Sequence, residues 1–147
     1  PSSVWATKQA PFSVWNQVVN QHQDLTIYLL GGPGDRAFLE EMMAEWSGFK
    51  VINLSGQLSL LQSAALMKGA QMNYVNDSGP LHLCSAMDAP VTAFFCSTIP
   101  GFGFVPLSSV KVVLETKEDL SCRPCGMHGK SACPLGHFAC GNISIPV

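Results

Sequence analysis

The chain has 147 residues, of which 47% are hydrophobic and 12% are charged, a composition that fits one compact domain and argues against disorder. Its formal net charge is −2 without a run of like charges, so we expect no nucleic-acid interface and no polybasic membrane patch. No apolar stretch reaches the roughly 20 residues that a membrane-spanning helix needs.

Strand-like and helix-like patterns alternate along the first half of the chain. An apolar run over residues 26–30 predicts a strand that ends at a Gly-Gly-Pro-Gly loop, and a helical pattern follows Asp35. Residues 50–54 predict a second strand, and Ser59 is placed to cap a helix that runs to Lys68. The apolar positions of this helix are expected to be buried against a sheet: Leu60, Leu61, Ala64, Ala65 and Leu66.

The same alternation continues in the second half. Residues 72–75 predict a third strand, and residues 80–87 predict the helix that follows it. Residues 90–95 and 110–114 predict the fourth and fifth strands. Strands that alternate with helices predict an α/β domain of three layers, with a mostly parallel sheet covered on both faces.

In such a domain, ligands bind beyond the carboxyl ends of the strands. Four loops are predicted at that edge: residues 31–35, 55–59, 76–82 and 97–103. None of them contains a Gly-Lys-Ser/Thr triplet, and Gly31-Gly32-Pro33-Gly34 does not match G-x-G-x-x-G, so an ordinary NTPase or dinucleotide site is not expected.

The polar turn of residues 76–82 leads directly from a strand into a helix. Its helix would present free backbone N–H groups and a positive dipole end, which favour a phosphate. Asp77 has two interpretations, because its carboxylate could cap the helix or accept hydrogen bonds from sugar hydroxyls. His82 likewise could face a ligand or pack into the protein as an ordinary histidine.

Taken together, these loops resemble glycosyltransferase family 9, the heptosyltransferases that build the inner core of lipopolysaccharide from ADP-heptose. The resemblance covers nearly the whole chain in order. Its motifs are the Trp5 and Lys8 segment, Gly-Gly-Pro-Gly-Asp at 31–35, Asn-Leu-Ser-Gly-Gln-Leu-Ser at 53–59, Asn-Asp-Ser-Gly-Pro-Leu-His at 76–82, and the cysteines at 122, 125 and 133.

The resemblance implies a GT-B enzyme with two Rossmann-like halves, of which residues 1–147 would be the C-terminal, donor-binding half. The chain lacks an initiator Met and a signal-peptide pattern, so we expect a piece of a longer protein whose N-terminal, acceptor-binding half is absent. The parent would be an inverting glycosyltransferase, either free in the cytoplasm or peripheral at the inner face of the bacterial inner membrane. This piece alone would be inactive, and the catalytic base would belong to the absent half.

By the same resemblance, Lys8 would neutralise the diphosphate or touch the heptose, and Asp35 with Gln57 and Leu58 would border the nucleoside. Asp77, Ser78 and Gly79 would hold the sugar diphosphate, next to Pro80 and His82. No cofactor is expected to be required. Two alternatives stay open, a nucleotide-sugar-binding module and a GT-B transferase for a different nucleotide sugar.

Six cysteines form two groups. Cys84 and Cys96 lie in apolar surroundings and are expected to be small buried hydrophobes. The tail of residues 120–141 carries Cys122, Cys125, Cys133 and Cys140, which could hold a structural zinc, with His137 as a substitute ligand, or remain thiols or form disulfides. The first spacing is zinc-like, whereas the second pair is widely split.

Overall fold

The computed structural model describes residues 1–146, so Val147 lies outside the described residues. It contains four α-helices and five β-strands in the order α1, β1, α2, β2, α3, β3, α4, β4, β5. Their bounds are α1 Phe12–Gln21, β1 Ile27–Leu29, α2 Arg36–Ala44, β2 Val51–Asn53, α3 Leu60–Gly69, β3 Asn73–Asn76, α4 Gly79–Met87, β4 Val91–Phe95 and β5 Lys111–Glu115.

All strand pairs are parallel, which confirms the α/β class predicted from the alternating pattern. The strands form two hydrogen-bonded sheets, however, where a single sheet was expected. Strand β1 pairs with β2, and the order of the second sheet is β3-β4-β5. A mainly apolar cavity of about 530 Å³ lies between the facing edges of β1 and β3, so these two strands do not hydrogen-bond to each other.

Helix α1 was not predicted, although it supplies much of the larger hydrophobic core. Val14, Trp15, Val18 and Val19 repeat at helical spacing and are all buried. The Trp15 ring packs edge-on against Phe94 of β4, with ring centroids 5.2 Å apart. This helix therefore fastens the N-terminal residues to the central strand of the second sheet.

Helix α3 begins as predicted but buries other residues. The Ser59 hydroxyl accepts a hydrogen bond from the Gln62 N–H at 3.3 Å, and the Gln62 side chain accepts one from the Ser59 N–H at 2.8 Å. The burial predicted for Leu60, Leu61 and Ala65 is wrong, because Leu60 and Leu61 are 68% and 81% exposed and Ala65 is exposed as well. The buried face of the helix consists of Ala64 and Met67.

Gly56 fixes the contact between the two loops that follow β1 and β2. Its N–H donates to the Gly31 carbonyl at 3.0 Å, its φ is +70°, and an added Cβ would lie 2.9 Å from the Pro33 Cα. Gly56→Ala is therefore expected to lower the free energy of unfolding by about 1–3 kcal/mol, as measured by urea denaturation. Gly34→Ala is the matched control, because an added Cβ there meets nothing within 4 Å. Equal effects of the two substitutions would contradict this account.

Candidate functional site

The last residues of β3 hold the N-terminal segment against the carboxyl edge of the second sheet. Asn76 accepts a hydrogen bond from the Ala10 N–H at 2.9 Å and donates one to the Pro1 carbonyl. The Asp77 N–H donates to the Phe94 carbonyl at 3.1 Å, which extends the pairing of β3 with β4 by one step. The side chain of Asp77 is thereby aimed at the segment that carries Lys8.

Asp77 forms a compact polar cluster with Lys8 and Thr98. The Lys8 Nζ lies 2.8 Å from the Asp77 Oδ2, and the Thr98 hydroxyl donates to the same oxygen at 2.7 Å. The side chains of Lys8 and Asp77 are only 15% and 7% exposed. Both contacts use Oδ2, so within residues 1–146 Oδ1 is the oxygen left to accept from a ligand hydroxyl.

Asp77 does not cap helix α4, so the helix-cap interpretation from the sequence is wrong. Ser78 is the N-cap residue of α4, and its hydroxyl donates to the Asn76 carbonyl at 3.3 Å. No side chain caps this helix within the described residues. Pro80 in the first turn has no N–H, and the Leu81 N–H donates to the Ser78 carbonyl at 3.0 Å, so the free donor of this turn, beside Asp77, is the Gly79 N–H.

His82 lies on the exposed side of α4. Its ring meets that of Phe104 edge-on, with centroids 6.2 Å apart. The second interpretation from sequence, an ordinary histidine packed into the protein, does not describe this exposed position. His82 is instead accessible on the first turns of the helix whose N-terminus follows Asp77.

The other predicted site residues, Asp35, Gln57 and Leu58, lie on the loops that follow β1 and β2. The Asp35 Oδ2 accepts from the Gly32 N–H at 2.7 Å, so this carboxylate first of all fixes its own loop. The Gln57 side chain donates to the Asn53 carbonyl at 2.9 Å and is exposed, while Leu58 is half-buried. The bond of the Gly56 N–H to the Gly31 carbonyl joins these two loops, but within residues 1–146 no hydrogen bond or ion pair joins the three side chains to Lys8, Asp77 or Thr98.

The tail packs against the segment that carries Lys8. This contact was not predicted from the sequence. The Thr7 N–H donates to the Lys130 carbonyl at 3.1 Å, and the Lys130 N–H donates to the Thr7 hydroxyl at 2.7 Å. Gly129, with φ +80°, lies so close that an added Cβ would be 3.0 Å from the Lys8 Cγ. The loop after β4 was predicted at this edge, but no feature of the sequence singles out Thr98 as the partner of Asp77.

The structure does not assemble a metal site from the tail cysteines. Within residues 1–146 no group of three or more His, Cys, Asp or Glu side chains could hold a metal ion. Cys140 packs in the hydrophobic core, whereas Cys122, Cys125 and Cys133 are half-buried, and all six cysteines are free. Backbone N–H groups, first that of Phe138, lower the pKa of the Cys133 thiol. The zinc set suggested by spacing thus lacks its geometry here.

Cys84 and Cys96 are fully buried, as the sequence predicts. Burial raises the pKa of the Cys84 thiol to about 11 and that of Cys96 to about 12, from an ordinary value near 9.0. Both thiols must therefore stay protonated in the folded chain at a pH where the unfolded chain has already lost those protons.

The free energy of unfolding is accordingly expected to be independent of these thiols below pH 9 and to fall as the pH rises from about 9 toward 11, by about 1.4 kcal/mol per pH unit for each thiol. Urea denaturation between pH 7 and 10.5 measures this slope. Cys96→Ala should reduce it. A slope unaltered by Cys96→Ala would contradict the assignment.

Comparison with known proteins gives consistent matches. The family model described as glycosyltransferase family 9 (heptosyltransferase) matches residues 1–134. Lipopolysaccharide heptosyltransferase 1 of Pseudomonas aeruginosa is 27% identical over 124 residues, which are 84% of this chain and 34% of that protein. The chain thus spans about a third of the length of this curated relative.

Two solved structures share the fold. The first is E. coli ADP-heptose lps heptosyltransferase II, with a TM-score of 0.71 and 22% identity over 85% of this chain and 41% of that one. The second is the glycosyl transferase family 9 protein of Veillonella parvula, with a TM-score of 0.69 and 26% identity over 78% of this chain and 33% of that one. Within residues 1–146, no helix has both the length and the apolar character to cross a membrane.

Proposed function

Because the chain belongs to glycosyltransferase family 9, the heptosyltransferases, we propose that it is the donor-binding half of a glycosyltransferase that transfers heptose from ADP-heptose to the lipopolysaccharide inner core. The carrying observation is the buried cluster of Lys8, Asp77 and Thr98 beside the uncapped N-terminus of α4. In this proposal the cluster receives the sugar diphosphate, and the loops after β1 and β2 border the nucleoside.

The charges of the cluster suit a leaving diphosphate. When the bond between the sugar and the diphosphate breaks, negative charge grows on the diphosphate oxygens, and donors fixed in advance stabilise it best. Lys8 is fixed by Asp77, and the Gly79 N–H is fixed by the start of α4. Since an ammonium carries three N–H donors, Lys8 can keep its bond to Asp77 and still contact a phosphate oxygen.

Asp77 would then serve the sugar as well as Lys8. Its Oδ2 is engaged by Lys8 and Thr98, and its Oδ1 can accept from a heptose hydroxyl. In an inverting transfer a base must also take the proton of the acceptor hydroxyl. We assign that base, and the lipopolysaccharide acceptor, to the other half of a longer cytoplasmic protein, peripheral at the inner membrane. This chain alone would bind the donor without turning it over.

Thermal unfolding with added nucleotide sugars tests the proposal. At a concentration 100 times the dissociation constant, a ligand stabilises the folded state by about 2.7 kcal/mol, which raises the Tm of a domain of this size by about 5–10 °C. ADP-heptose is expected to give this shift, and UDP- and GDP-sugars are the controls. A larger shift with one of those would favour a GT-B transferase for another donor. No shift with any of them at millimolar concentration would overturn the donor-site assignment.

A further inference from the structure

Arg123 is the most extensively bonded side chain of the tail. Its Nε donates to the Cys96 carbonyl at 2.7 Å, and its Nη2 lies 3.1 Å from the Phe95 carbonyl and 2.8 Å from the Thr98 carbonyl. The same Nη2 lies 2.6 Å from the Glu115 Oε2 at the end of β5. The Arg123 side chain is only 11% exposed. One guanidinium thus forms hydrogen bonds with three carbonyls of a single turn.

That turn, residues 95–98, also forms one wall of the candidate site. Phe95, Cys96 and Thr98 are almost completely buried, so their carbonyls depend on protein donors. On the side away from Arg123, the Ser97 N–H donates to the Thr7 carbonyl at 3.2 Å, and the Thr98 hydroxyl donates to Asp77. A shift of this turn would therefore move the partner of Asp77 and the residue that precedes Lys8.

Only an arginine can make this set of contacts. Its planar guanidinium carries five N–H donors in a fixed fork, whereas a lysine ammonium is a single point on a flexible stem. Nε and Nη2 lie on one edge of that fork, and together they reach the Phe95, Cys96 and Thr98 carbonyls. Glu115 supplies the opposite charge but, with its side chain 39% exposed, it is the more replaceable partner.

We propose that Arg123 is a positioning residue of the donor site, which acts through the turn of residues 95–98 to hold Thr98 against Asp77 and thereby Lys8. This inference rests on the proposed function, because it concerns the same pocket. It also gives the tail a role at the site that needs no metal ligand, since Arg123 lies between Cys122 and Cys125.

Donor affinity in a set of variants tests the proposal. Arg123→Gln and Thr98→Val are each expected to weaken ADP-heptose binding about tenfold, and the double variant by no more than the larger single effect, because both changes act on one contact. Arg123→Lys should resemble Arg123→Gln, since charge alone cannot hold the turn. Glu115→Gln should stay within about twofold of the unsubstituted chain. The proposal would be overturned if the two losses of affinity multiplied in the double variant. It would also be overturned if Arg123→Lys kept the affinity of the unsubstituted chain, or if Glu115→Gln lost as much affinity as Arg123→Gln.

A second measurement needs no donor and so separates this inference from the proposed function. The side-chain ammonium of Lys8 should give a slowly exchanging ¹H–¹⁵N NMR signal in the unsubstituted chain and in Glu115→Gln. The signal should broaden or disappear in Arg123→Lys and in Thr98→Val. Of these two substitutions, Thr98→Val changes the side chain least. If the unsubstituted chain binds no nucleotide sugar, the proposed function fails while this readout still decides the role of Arg123. A Lys8 signal unchanged in both variants would overturn that role.

Discussion

Asp77→Ala is expected to lower the free energy of unfolding by about 3 kcal/mol and to abolish binding of ADP-heptose. The substitution leaves the Lys8 ammonium, which is 15% exposed, without its carboxylate. It also leaves the buried Thr98 hydroxyl without an acceptor. Urea denaturation measures the first effect and calorimetric titration the second, at a temperature where the variant is still folded.

Two further variants isolate the cause of this loss. Lys8→Met with Asp77→Ala should be more stable than Asp77→Ala alone, because the double variant no longer buries an unpaired charge. Asp119→Ala, in the exposed segment after β5, is the control and should change stability by less than about 0.5 kcal/mol. If Asp77→Ala behaved like this control, Asp77 would not hold the charge pair that the geometry gives it.

Lys8→Met is expected to weaken binding of ADP and ADP-heptose by about 100-fold, or about 2.7 kcal/mol, because it removes the charged donor proposed for the diphosphate. Binding of adenosine, which has no phosphate, should be nearly unchanged. This comparison separates loss of the phosphate contact from general damage to the pocket, since general damage would weaken all three ligands.

Lys130→Met is the matched control for Lys8→Met. Lys130 is exposed, and its main chain, rather than its side chain, holds Thr7. Its replacement should therefore leave ADP affinity within about twofold of the unsubstituted chain. Equal losses in Lys8→Met and Lys130→Met would mean that the effect arises from net charge and not from the position of Lys8.

The local pattern of the sequence was sufficient for most of the fold. Every predicted strand exists within a few residues, because apolar runs that end in glycine or polar loops leave few other structures. Helix α1 was missed, although Val14, Trp15, Val18 and Val19 carried the helical period. Leu60 and Leu61 were predicted to be buried from the same helical period. The period alone does not show which face of a helix packs against its neighbours.

The site was predictable only where its residues lie in a motif. The carboxyl-edge rule located Asp77 and the start of α4, since parallel strands end at one edge. The contacts of Asp77 with Lys8 and Thr98, and of Arg123 with the turn of residues 95–98, join distant parts of the chain. Such pairs leave no local period or spacing, so they become visible only when the elements are packed.

The bridge between Thr7 and Lys130 has a consequence for the order of folding. It joins residues 123 positions apart, and the closure of so long a loop costs conformational entropy before any contact compensates for it. Strands β3 and β4 can pair much earlier, through a short helical crossover. We therefore expect the sheet to form first and the position of Lys8 to be fixed last, so that during synthesis the candidate site is completed only after residue 130 has left the ribosome.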